Sequence, residues 1–137
     1  MSNCLVNYEL NQDGVITEDT LQGVFERVGS LYRVTFNIES DNQVSAHSYV
    51  KVGDNAFKIS VKGDSEYSIT VKAGETCSAT LKTGGINFPF TATTKKCVVT
   101  ANDGGMELYA EYYLTAFNQT LKNTLTVKVS ALGELKC

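Results

Sequence analysis

The chain has 137 residues with 12 basic and 15 acidic side chains, a net charge of −3, and 42% apolar against 20% charged residues. That length fits one domain over residues 1–137 with a core that needs no metal or cross-link, and the composition excludes disorder. The sequence offers no clustered basic face for nucleic acid and no run of about eighteen apolar residues for a transmembrane segment, so neither is expected.

In chain order, Cys4–Leu10 alternates as a short strand and closes on the turn Asn11-Gln12-Asp13-Gly14. A helix is expected next. Thr17 or Asp19 can cap it, Leu21, Val24, Phe25 and Val28 fall at i, i+3, i+4 and i+7, and Gly29 can stop it. Gly23 inside this stretch costs a helix about 1 kcal/mol against Ala, so the helix would need a sheet to lie on.

From Leu31 onward the pattern is strand and turn. Apolar and polar residues alternate in Leu31–Glu39, Val44–Val52, Phe57–Val61, Tyr67–Val71, Cys77–Leu81, Met106–Ala116 and Leu125–Ala131. Turn signals separate them, among them Ser40-Asp41-Asn42, Gly53-Asp54-Asn55, Gly84-Gly85 and Asp103-Gly104-Gly105. Lys95-Lys96 is expected at the tip of another turn. Pro89 lies within the strand Ile86–Thr93 and has no amide hydrogen for a ladder, which points to a sheet edge or a bulge. The fold expected is all-β: an antiparallel sandwich, or else a closed barrel, of nine or ten strands with one short amphipathic helix near the N-terminus. The need for an edge at Pro89 favours the sandwich.

The four cysteines are Cys4, Cys77, Cys97 and Cys137. Their even number suggests disulfides, with Cys4 and Cys137 near the two termini. A Cys77–Cys97 bond would require their strands to face one another, because in a simple meander they stand too far apart. The strand-rich pattern is common in exported domains, so an extracellular, cell-surface or virion setting is expected, although Met1-Ser2-Asn3-Cys4 lacks the marks of a signal peptide.

Sites of chemistry are few. The stretch from Glu9 through Asn11, Asp13, Gly14, Ile16 and Thr17 to Thr20 resembles the calcium loop of the EF-hand family in its alternating oxygens and central glycine. It departs from that loop at both ends, with Thr20 where a bidentate Glu belongs and Glu9 in place of Asp. A strand-to-helix turn is therefore expected, and no metal site is assigned.

His47 is the sole histidine and shares a strand side with Ser45, Tyr49 and Lys51, expected to face water. Its neighbour Ser48 points the other way. A partner would have to come from another strand, such as Asp41, Ser60 or a cysteine. No phosphate loop or nucleophile elbow is present, so no catalytic residue and no cofactor is assigned and the chain is read as no enzyme.

The strand through Met106–Ala116 puts Leu108, Ala110, Tyr112 and Leu114 on one side. Tyr109, Tyr113 and Phe117 fall on the other, where water is expected, and exposed aromatics of this kind mark contact surfaces. These three are the expected binding residues. The function expected is a non-catalytic structural, assembly or surface-contact subunit of a virion, filament or adhesin, with self-assembly or a protein partner. The alternative is a carrier of a small apolar ligand inside a closed barrel. Strand, helix and long meander at this length are similar to the plan of the fatty-acid-binding proteins, and that resemblance implies a closed barrel around an apolar ligand.

Overall fold

The computed structural model describes residues 2–40 and 43–132. Two-residue alternation runs through ten strands: β1 (Ser2–Gln12), β2 (Val15–Val28), β3 (Leu31–Ser40), β4 (Gln43–Gly53) and β5 (Ala56–Lys62) come first. Then follow β6 (Ser65–Lys72), β7 (Thr76–Thr83), β8 (Ile86–Asn102), β9 (Gly105–Ala116) and β10 (Gln119–Ala131). Each strand is antiparallel to the one before it, and β1 also pairs with β10, from Cys4↔Ala131 to Gln12↔Asn123. The sheet is therefore a closed up-and-down barrel, and the sandwich is not formed.

The proline that favoured a sandwich finds its edge locally. Pro89 lies opposite Thr80 of β7, while β9 joins β8 only from Thr91 onward. On the β9 side of Pro89 no strand awaits an amide hydrogen, so the barrel closes without losing a bond there. Lys95-Lys96 is not a turn either. Both lie inside β8, at a register shift between Thr94 and Lys96 that lets this 17-residue strand bend around the barrel.

The helix expected over Thr17–Val28 is the strand β2. Its residues Val15, Ile16, Thr17, Thr20, Val24 and Val28 are β-branched, which suits a pleated strand better than a helix. Leu21, Gly23 and Phe25 point inward, and Leu21, Val24, Phe25 and Val28 satisfied a helical period only because an i, i+4 pair also shares a strand face. Gly23 explains the choice further. A Cβ there would stand 2.6 Å from the Thr35 carbonyl oxygen and 3.2 Å from Phe36 Cβ, so only glycine lets β2 press this close to β3. The loop that resembled a calcium site is the tight β1–β2 hairpin, turned by Asp13 (φ 49°) and Gly14 (φ 90°), with Glu9 directly opposite Glu18.

The register also reverses the expected orientation of β4. Tyr49 is buried, His47 stacks on Phe36 inside the barrel at 5.5 Å, and Val44 and Val52 face water. His47 thus points inward: alternation favoured Val44, Ala46, Val50 and Val52 as the core side, but the register of the closed sheet turns the Tyr49 side to the interior. Its suggested partner Asp41, like the centre of the turn Ser40-Asp41-Asn42, lies outside the described residues.

Cys4, Cys77 and Cys97 are free thiols, so the Cys77–Cys97 bond is not made. Their strands adjoin, but Cys77 lies opposite Ala92, five residues from Cys97 along β8. Cys137, the suggested partner of Cys4, lies outside the described residues.

One end of the barrel is densely filled by Val6, Val34, Phe57, Val71, Val99, Met106, Leu108 and Val127, all nearly inaccessible. The other end, reached by the C-terminal residues of β1 and β9 and the N-terminal residues of β8 and β10, is not filled in this way. The β6–β7 ladder is held only by Ser65↔Thr83 and Glu66↔Lys82, so the wall is unzipped below Tyr67. No helix among the described residues is long and apolar enough to cross a membrane.

Candidate functional site

The unfilled end holds a cavity of about 510 Å³ that opens to solvent. Its walls come from inward positions of adjacent strands: Leu81 of β7, Phe88 and Phe90 of β8, Leu114 and Ala116 of β9, and Leu121 of β10. Gln12, Gln119 and the phenol of Tyr67 supply the polar part of the lining. Its size and mainly apolar walls, with few polar groups, are those of a small-molecule site, for which volumes run roughly 300–1,000 Å³.

Phe88-Pro89-Phe90 produces the aromatic wall because alternation sends both rings inward while Pro89 faces out. Phe90 meets Tyr67 edge-on at 6.0 Å, and Phe88 meets Phe117 edge-on at 5.5 Å. Phe117 and Asn118 form the β9–β10 turn with φ values of 52° and 61°, a left-handed conformation that a bulky residue rarely adopts. The strain holds an exposed aromatic ring over the rim of the cavity.

One inward position deeper than the Leu114–Leu121 level lies a row of polar residues in direct register. Thr94 pairs with Tyr112, Tyr112 with Asn123, and Asn123 with Gln12. Gln12 Nε2 donates to Asn123 Oδ1 at 3.0 Å. Asn123 Nδ2 and Thr94 Oγ1 are buried without a protein partner, and so, on β4, is His47 Nδ1, in register with Phe36 and Val61. Buried polar atoms of native proteins are nearly always paired, so the two in this row, Asn123 Nδ2 and Thr94 Oγ1, call for a partner.

Four phenols complete this interior. Burial raises the pKa of Tyr8 to about 12, and a smaller contribution comes from Tyr67. Tyr49 is raised well above the ordinary value by burial and then by Tyr8, Tyr112 and Tyr67, and Tyr112 by burial and then by Tyr67 and Tyr8. Tyr8 and Tyr49 both pack against Phe36, with ring centres 6.2 and 5.3 Å from it, and all four phenols remain neutral hydrogen-bonding groups. Burial also lowers the pKa of His47, which is therefore neutral at neutral pH. No group of three His, Cys, Asp or Glu among the described residues is gathered as a metal would require.

The three aromatics expected to bind do not share one surface. Tyr109 and Tyr113 lie half-buried on the outer side of β9, where the Tyr109 hydroxyl donates to Glu111 at 3.0 Å and Lys96 Nζ stands 5.5 Å from the Tyr109 ring centre. Phe117 leaves their side at the turn, is 73% exposed and belongs to the cavity rim. Sequence reasoning missed Leu81, Phe88, Phe90 and the row through Asn123. The Phe-Pro-Phe triplet was the available signal. The row had none, because its members are 111 residues apart at the extremes of the Gln12–Asn123 pair.

Comparison with known proteins adds a family and a fold. A family model described as a domain of unknown function, DUF1934, matches residues 5–127. No curated protein matches the chain. Among solved structures, the crystal structure of the ywiB protein from Bacillus subtilis is similar with a TM-score of 0.83 at 11% identity, over 95% of this chain and 92% of that one.

Proposed function

This chain belongs to the DUF1934 family, and we propose that within it the barrel works as a non-catalytic carrier that takes up a small, mainly apolar ligand at its open end. The observation that carries this reading is the cavity of about 510 Å³ walled by Leu81, Phe88, Phe90, Leu114 and Leu121. An apolar wall of that extent facing water costs free energy, roughly 25 cal/mol per Å² of apolar surface, that a bound apolar body removes. The closed barrel supplies a rigid frame, and the strained Phe117 supplies a ring at the mouth that can pack on the bound molecule.

The test is titration with an uncharged, environment-sensitive dye such as Nile red. Saturable one-to-one binding is expected, and Leu114→Arg, which puts a charge in the wall, should abolish it while leaving the barrel folded. Absence of saturation, or binding indifferent to Leu114→Arg, removes the carrier reading.

A second reading retains support from Tyr109 and Tyr113, two aromatics on the outer side of β9, and from exposed Val15, Ile16 and Ile86 at the open end. In it the chain is a surface-contact or assembly subunit. Concentration-dependent association in sedimentation, weakened by Tyr109→Ser with Tyr113→Ser, is its expected mark, and a strict monomer at millimolar concentration counts against it.

A further inference from the structure

We propose that the ligand of the open-end cavity carries an uncharged, hydrogen-bonding head group that docks at the Gln12–Asn123 amide pair, in preference to a carboxylate; the inference rests on the carrier reading and names its ligand class. A hydroxyl is the simplest such head, able to accept from Asn123 Nδ2 and donate to a neighbouring oxygen.

The geometry supports this in three ways. The described residues lining the cavity include no charged side chain. Lys62 and Lys82 are exposed on the outer side of the wall around Tyr67, where Glu66 accompanies them, and Lys122, next to Leu121, is exposed as well. An ionised carboxylate carried inside would lose its hydration with no counter-charge to replace it. A neutral head loses much less.

Second, the row Thr94–Tyr112–Asn123–Gln12 lies just below the apolar walls, so a ligand whose tail fills the walls brings its head to this row. Third, that row already contains the unpaired donors a head group would satisfy. Asn123 Nδ2 has no protein partner although its own Oδ1 is held by Gln12, so the amide is oriented with a donor left over. Thr94 Oγ1, on the other side of Tyr112, is equally unpaired and can donate or accept. The buried phenols stay protonated and His47 stays neutral, so they add polarity to this interior without adding charge.

The experiment displaces bound Nile red with a long-chain alcohol and with the carboxylic acid of the same chain length, above neutral pH where the acid is ionised. The alcohol should compete at a concentration roughly tenfold or more below the acid, the worth of one or two buried hydrogen bonds against an uncompensated charge. Asn123→Leu should weaken the alcohol by roughly tenfold more than it weakens the dye. Gln12→Leu, at the half-buried cavity edge, should weaken the alcohol in the same direction even if Asn123→Leu does not fold. Equal or better competition by the acid, or alcohol affinity unchanged in the variants, overturns the head-group assignment and leaves the carrier reading intact. Failure of the dye itself to bind overturns both.

Discussion

Gly23 occupies a place where a single methyl group decides the local structure. Both neighbouring strands approach it, with the Thr35 carbonyl oxygen 2.6 Å and Val6 Cγ2 3.3 Å from where a Cβ would be. In a helix the substitution Gly23→Ala would be stabilising by about 1 kcal/mol. In β2 the backbone oxygen cannot yield as a side chain would, so Gly23→Ala should destabilise by roughly 1–3 kcal/mol, as overpacking does. Denaturant titration of the two proteins reads the sign directly, and a more stable variant would restore the helix. Gly23 was visible in the sequence as a helix cost, but its cause was not, because the atoms it avoids belong to residues far along the chain.

At the scale of the element, alternation placed most strands from Leu31 onward, but it broke β8 at Lys95-Lys96, gave β4 the wrong face and could not choose a partner for β7. The thiols show what partner choice decides. Cys97 on β8 is buried, and its thiol donates to the Val71 carbonyl at 3.8 Å across the β6–β8 approach, where β7 does not pair with β6. Burial pushes its pKa up to about 11, so little thiolate forms below that. Cys77 on β7 is half-buried. Alkylation of the native protein near pH 8 should therefore label Cys77 well ahead of Cys97, by at least about tenfold in rate, with Cys97 reacting after denaturation. Peptide mapping after a timed reaction checks this. Equal labelling would mean that the β6–β7 seam admits reagent to the core.

At the scale of the whole molecule, the barrel interior sets a window of pH. Burial keeps His47 neutral and lowers its pKa from 6.5. The stability this represents is complete above about pH 6.5 and is lost as pH falls through the lower folded value, since the unfolded chain takes up the proton first. On the alkaline side Cys97 and Tyr8 are raised, from 9.0 to about 11 and from 10.0 to about 12. Their contribution is present in full below the ordinary values and is lost as pH rises through the folded ones. Unfolding midpoints should form a plateau between about pH 6.5 and 9 that falls on both sides, and His47→Phe should flatten the acid limb. An acid limb unchanged in that variant would place its origin elsewhere.

Strand content and most turn positions were properties of the sequence by itself, because the period of a pleated strand and the chemistry of turns are local. Even so, local pattern misassigned Thr17–Val28, where the same apolar spacing fits both a helix and a strand face. Closure of β1 on β10, the inward turn of His47, and the convergence of Phe88, Leu114, Leu121 and Gln12 on one cavity were decided by tertiary structure alone. Those contacts join residues at opposite ends of the chain, as Cys4 opposite Ala131 shows, and their register follows from closing the whole sheet, which no segment encodes separately.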